Sequence, residues 1–146
     1  MLSIHTILHP TDFSPNAEYA LRLACSLAQD YDARLILLHV SMPPPGPIDA
    51  LPPNPNVSAE SQETLLGKLP WPETPETGVR VEHRVAEGQP ADEIVRLARK
   101  VSCDLIVMGT HGRTGLARLL HGSVAEEVLR TAPCPVLSVH LPARQS

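Results

Sequence analysis

Short aliphatic runs alternate with helically spaced apolar positions along most of the chain. Ile4 to His9 is apolar and stops at Pro10-Thr11-Asp12, which predicts a strand running into a turn. Ser14-Pro15 has the residue types of an N-cap and a first helical position, where proline sacrifices no needed N–H. Ala17, Ala20, Leu21, Ala24, Leu27 and Ala28 then recur at helical spacing and give one apolar stripe. Arg34 to Val40 is nearly continuous aliphatic sequence, as expected of a strand covered on both faces. Alternation at Val79, Val81, His83 and Val85 predicts a third strand.

The same grammar continues. A helix is expected to open at Gly88-Gln89-Pro90 and bury Ala91, Ile94, Val95, Leu97 and Ala98. Leu105 to Met108 is another buried strand ending at Gly109; a helix follows over about Ser123 to Arg130. Pro133-Cys134-Pro135 stops it before a last strand, Val136 to Val139. Strands alternating with helices imply parallel pairing through right-handed crossovers, hence a doubly wound α/β sheet.

The pattern breaks once. Ten of the 16 prolines fall between Pro43 and Pro75, where a helix should join the second and third strands. Only Ser58 to Leu69 could hold helical turns there, with Gly67 weakening even those, so an irregular crossover over about 41–78 is expected. The 146 residues otherwise suit one domain, spanning 1–146. With one Trp, one Phe and two Tyr, its core must be aliphatic.

Charge and cysteine usage narrow the class. A formal net charge of −4 argues against a general nucleic-acid binder, and no apolar run approaches the roughly 18 residues of a membrane span. The opening Met1-Leu2-Ser3-Ile4-His5 lacks the features of a signal peptide. Cys25, Cys103 and Cys134 are odd in number and not in a CxxC, which suits reduced thiols in a cytoplasmic protein. Cys25 and Cys103 are expected in the core and Cys134 nearer the surface, with a redox role as the lesser reading.

In an open parallel sheet, ligands bind beyond the carboxyl ends of the strands. Two segments lie there: Pro10-Thr11-Asp12, and the glycine-rich run Gly109-Thr110-His111-Gly112-Arg113-Thr114-Gly115 leading to His121-Gly122-Ser123. Gly109, Gly112 and Gly115 permit tight turns and close approach to a ligand. Ser123 and Glu126 match the S-x-x-E capping box, and a helix N-terminus is a phosphate seat. Arg113 and Arg118 lie nearby in sequence and could neutralise anionic oxygens. On these residues alone the run is either a polyphosphate cradle or a punctuated loop with Ser123 only a cap. No G-x-x-x-x-G-K-[ST] occurs, nor a G-x-G-x-x-G after the first strand, which excludes a P-loop and disfavours a standard dinucleotide fold.

His9 and His39 end neighbouring strands, which admits a two-histidine metal site beside the commoner reading of packed histidines. His111 could orient a water, His121 shape the helix entry, and Asp12 serve only as a turn residue.

Gly109-x2-Gly112-x9-Gly122-Ser123 matches the G-2x-G-9x-G-[ST] signature of the ATP-binding branch of the universal stress protein family. The chain resembles that family also at Ile7 to Ser14, Leu105 to Gly109 and Ala132 to Leu137, four blocks in the right order. The resemblance implies an open Rossmann-like sheet of five parallel strands, order 3-2-1-4-5, with helices on both faces. It implies ATP with Mg2+ or Mn2+, the adenine against Val40, Pro10 and Thr11, and Asp12 near ribose, phosphates and the metal. Met108 and Gly109 would lie beneath the nucleotide, with His111 in the phosphate loop. Gly112, Arg113, Gly122, Ser123 and Val124 match the phosphate-binding positions. A homodimer pairing Val136, Leu137, Ser138 and Val139 across a twofold axis is also implied, with an unknown downstream protein partner. The expected role is a nucleotide-responsive module with at most weak ATPase activity. The alternatives are a slow hydrolase or phosphotransfer enzyme with Asp12 and His111 at the phosphates, and a nucleotide-free dimerisation scaffold.

Overall fold

Thr6–Pro10 (β1) occupies the middle of a five-stranded sheet, and its composition suits that place: Ile7 and Leu8 are fully buried, on opposite faces. The computed structural model describes residues 3–42, 67, 69–74, 78–110 and 124–141. Around β1 lie helix α1 (Pro15–Tyr31), strand β2 (Arg34–Ser41), strand β3 (Val81–Glu87), helix α2 (Pro90–Lys100) and strand β4 (Leu105–Gly109). Residues 124–131 form helix α3, and Val136–Val139 form β5. The order is β3-β2-β1-β4-β5 with every pair parallel, as the family resemblance implied.

Several boundaries move from their expected places. β1 begins at Thr6 rather than Ile4, because the N–H groups of His5 and Thr6 both donate to Asp104 Oδ2, at 2.8 and 3.0 Å. β3 begins at Val81 rather than Val79 and runs on to Glu87, and α2 begins only at Pro90. Gly88, at φ +146°, makes the turn between them, a conformation that favours glycine. The helical turns expected over 58–69 lie almost wholly outside the described residues, which there include only Gly67, in a helical conformation, and Leu69.

The two directions of travel along the sheet explain the two layers. Chain moving from β1 to β2 crosses on one face, and chain moving from β3 to β4 and β5 crosses on the other, since every crossover keeps the same hand. On the first face Ala20, Leu21, Ala24 and Ala28 of α1 pack on Ile7, Leu35, Leu37 and Val107. On the second, Ile94 and Ala98 of α2 and Val128 of α3 pack on Leu8, Ile36, Leu38 and Ile106. The alternation along each strand supplies both layers from one sequence.

Helix α1 starts where the sequence places it. The Ser14 hydroxyl accepts from the Ala17 N–H at 3.2 Å, and Asp32 closes the far end in a left-handed conformation. Helix α2 carries Asp92 and Glu93 in its first turn and Arg99 and Lys100 in its last, charges that complement its dipole. Among the described residues no helix is long and apolar enough to cross a membrane.

Candidate nucleotide site

The carboxyl ends of β1, β2 and β4 open on the α2 face into a cavity of about 360 Å³. Leu38, Val40, Ile94 and Met108 line it with Pro10 and Pro90, while Thr11, Asp12, Gln89 and Gly109 contribute polar or backbone surface. That volume and mixture suit a small organic ligand with an apolar body and a few polar edges. Seven of the expected binding residues meet here: Pro10, Thr11, Asp12, Val40, Met108, Gly109 and Val124. The other five, His111, Gly112, Arg113, Gly122 and Ser123, lie outside the described residues, as do Gly115, Arg118 and His121.

The turn after β1 is held by its own side chains. Thr11 Oγ1 accepts from the Phe13 N–H at 3.1 Å, and Asp12 Oδ1 accepts from the Ser14 N–H at 3.0 Å. Asp12 therefore has the turn role that aspartate often takes, while its exposed carboxylate also stands at the cavity. The Thr11 N–H donates to the Leu38 carbonyl at 2.8 Å and the Thr11 carbonyl accepts from His39 Nδ1 at 3.2 Å. Its backbone is thus committed to the scaffold, and what Thr11 offers a ligand is its surface.

Phe13 adopts φ +63°, a strained conformation for an aromatic residue. Its ring stacks at 4.7 Å on His39 and meets the edge of Trp71 at 5.5 Å; Trp71 in turn meets His83 at 4.7 Å. These rings cover the α1 face at the carboxyl end of the sheet, since His39 and His83 share that face with Leu35, Leu37 and Val81. The described end of the proline-rich crossover therefore packs behind the sheet, away from the cavity.

Gly109 has a structural reason of its own. A Cβ there would lie 2.8 Å from the Asn16 carbonyl oxygen, so the glycine is required by the first turn of α1 rather than by a ligand alone. Asn16 also donates from Nδ2 to the Thr110 carbonyl at 2.6 Å and accepts at Oδ1 from the Leu141 N–H at 3.2 Å. With the Thr110 N–H bonded to the Val139 carbonyl at 2.7 Å, the entry to the glycine-rich segment is tied to the end of β5. Sequence reading missed Asn16, Phe13 and Trp71. The single Phe and single Trp of an aromatic-poor chain were the available signal for two of them.

His9, His39 and His83 take packed positions. His9 is fully buried, and its Nδ1 donates to the Val107 carbonyl at 2.9 Å, leaving Nε2 without a hydrogen-bond partner. Burial holds its pKa down to about 4, only partly offset by the Val107 bond and the Asp12 charge. Burial also lowers His83. His39 directs Nδ1 to a backbone carbonyl, and among the described residues no three His, Cys, Asp or Glu side chains gather to hold a metal.

Comparison with known proteins agrees with this geometry. The sequence profile described as the universal stress protein family matches residues 3–140. Universal stress protein MJ0531 of Methanocaldococcus jannaschii is 38% identical over 146 residues, covering 95% of this chain and 84% of that protein. The solved structure of MJ0577, a universal stress protein of the same organism, superposes with a TM-score of 0.67 at 28% identity. That match covers 98% of this chain and 100% of the other. A universal stress protein crystallised with cAMP has the same fold, with a TM-score of 0.67 at 24% identity over 97% of this chain and 100% of that one.

Proposed function

Because the chain belongs to the universal stress protein family, we propose that it binds an adenine nucleotide in the cavity and acts as a nucleotide-responsive regulatory module. The observation that carries this reading is the apolar cleft at the carboxyl ends of β1, β2 and β4, with Asp12 standing beside it. In the proposal the purine lies between Val40, Met108 and Ile94, and Pro10 and Thr11 close one edge. A flat heteroaromatic base gains from such burial, and aliphatic walls exclude the water that would otherwise solvate it. The phosphates are proposed to run toward Gly112, Arg113, Gly122, Ser123 and Val124, since the end of a helix that begins there would offer N–H groups and a positive dipole end.

The ligand proposed is ATP with Mg2+ or Mn2+. Asp12, exposed at the cavity, would share such an ion with phosphate oxygens; a hard cation takes oxygen donors and commonly keeps part of its shell as water and phosphate. The cAMP complex of a family member supports the adenine-nucleotide class. The module is proposed to act in the cytoplasm as a single domain, paired with a second copy through Val136, Leu137, Ser138 and Val139. That pairing would cover the exposed β5 edge. Nucleotide would then favour whichever surface or dimer state holds it more tightly.

Titration calorimetry with ATP and magnesium tests the reading. Saturable one-site binding below millimolar is expected, lost when Gly122 is replaced by a bulky residue; absence of binding at millimolar ATP overturns it.

A further inference from the structure

The amino end of the sheet, opposite the cavity, holds two cysteines that the nucleotide reading does not use. Cys103 precedes β4 and is buried; Cys134 precedes β5 and is half-buried against the same core cluster. The strand register brings them together: Ile106 pairs with Val136, and the Ile106 N–H donates to the Pro135 carbonyl at 3.0 Å. Carrying that register two places back sets Cys134 opposite Asp104, diagonally beside Cys103. A diagonal between adjacent strands spans about 6 Å between Cα atoms, within the range a disulfide requires. Cys103 lies just before the β4 pleat, and its side chain packs with that of Cys134 in the one α2-face cluster, close enough for the two thiols to interact electrostatically. Cys103 Sγ is further held 3.0 Å from the Leu105 carbonyl, which fixes its orientation.

We propose that Cys103 and Cys134 form a reversible intramolecular disulfide, a thiol-oxidation site at the amino ends of β4 and β5. The partner chemistry is a low-molecular-weight disulfide or a hydroperoxide. With a disulfide, the Cys134 thiolate attacks one sulfur, forms a mixed disulfide and expels one thiol. Cys103 then loses its proton and attacks the Cys134 sulfur, expelling the second thiol. The protein gives up two electrons and two protons, and the small disulfide becomes two thiols. With hydrogen peroxide the intermediate is a sulfenic acid on Cys134, and two waters are the products.

The order of attack follows from exposure and proximity. Cys134 is the more accessible sulfur; burial raises both thiols, but proximity to Cys103 partly offsets the rise at Cys134, whereas burial and the neighbouring Cys134 push the Cys103 thiol up to about 12. Cys25 stands apart, on the buried side of α1 at the other face of the sheet. The bond would close a covalent ring through β4, the glycine-rich segment and α3, yet it requires no nucleotide.

The test oxidises the native chain with oxidised glutathione, then alkylates it in denaturant. Alkylatable thiols should fall from three to one, with Cys25 the survivor. The chain should lose about 2 Da, peptides bearing Cys103 and Cys134 should be recovered linked, and dithiothreitol should restore all thiols. Cys103→Ser should arrest at a glutathione adduct on Cys134, and Cys134→Ser should form no intramolecular bond. Three remaining thiols in the wild-type chain, a bond involving Cys25, or a link between two chains would overturn the proposal, whatever nucleotide binding shows.

Discussion

The two faces of this sheet are built from the same strands, yet at their carboxyl ends one is filled and the other hollow. On the α1 face, Phe13, His39, Trp71 and His83 close over one another, and His9 lies fully buried. On the α2 face, the corresponding end is lined by Val40, Met108 and Ile94 and leaves about 360 Å³ unfilled. The turn after β1 decides between them. Phe13, at positive φ, sends its ring to the α1 face and leaves Asp12 and Thr11 beside the cavity. Local strain at one residue is offset by aromatic packing, and an open cleft is left on the other side.

The most demanding test of this contrast is acid. His9 must stay neutral in the filled face, with its pKa lowered from 6.5 to about 4. The unfolded chain binds that proton first, so stability is complete above pH 6.5 and is lost as pH falls from there toward 4. The loss should approach about 3 kcal/mol. Urea unfolding across that interval measures it, and the difference between wild type and His9→Gln isolates the His9 share. Equal pH dependence in both chains would contradict the burial.

Removing the crossover's anchor should have a smaller effect. Trp71→Ala deletes the contacts with Phe13 and His83 and should lower stability by about 2 kcal/mol, while leaving the cavity intact. Thermal unfolding and ATP titration of the same variant check both halves; weakened binding without lost stability would show that Trp71 serves the cavity instead.

Filling the hollow side should reverse that pattern. Val40→Trp at the half-buried end of β2 should cut nucleotide affinity at least about tenfold, near 1.4 kcal/mol, with little change in the unfolding midpoint. Unchanged affinity would move the base away from Val40.

The amino-acid order by itself determined the repeating strand–helix grammar, because burial periods of two and 3.6 residues are local properties. It also determined the Ser14-Pro15 start of α1, since capping involves only near neighbours. The family resemblance added the strand order and the positions Val40, Met108 and Val124, while Pro10, Thr11, Asp12 and Gly109 were legible as turn residues at strand ends. Gly109 was legible as a special position but not for the close approach of the Asn16 carbonyl in the first turn of α1. Tertiary structure alone decided which face would be hollow, that Asn16 would link Thr110 to Leu141, and that Cys103 and Cys134 would share one core cluster. Those contacts join residues distant in the chain. They depend on strand register and on which side of the sheet each crossover passes, and no local period encodes either.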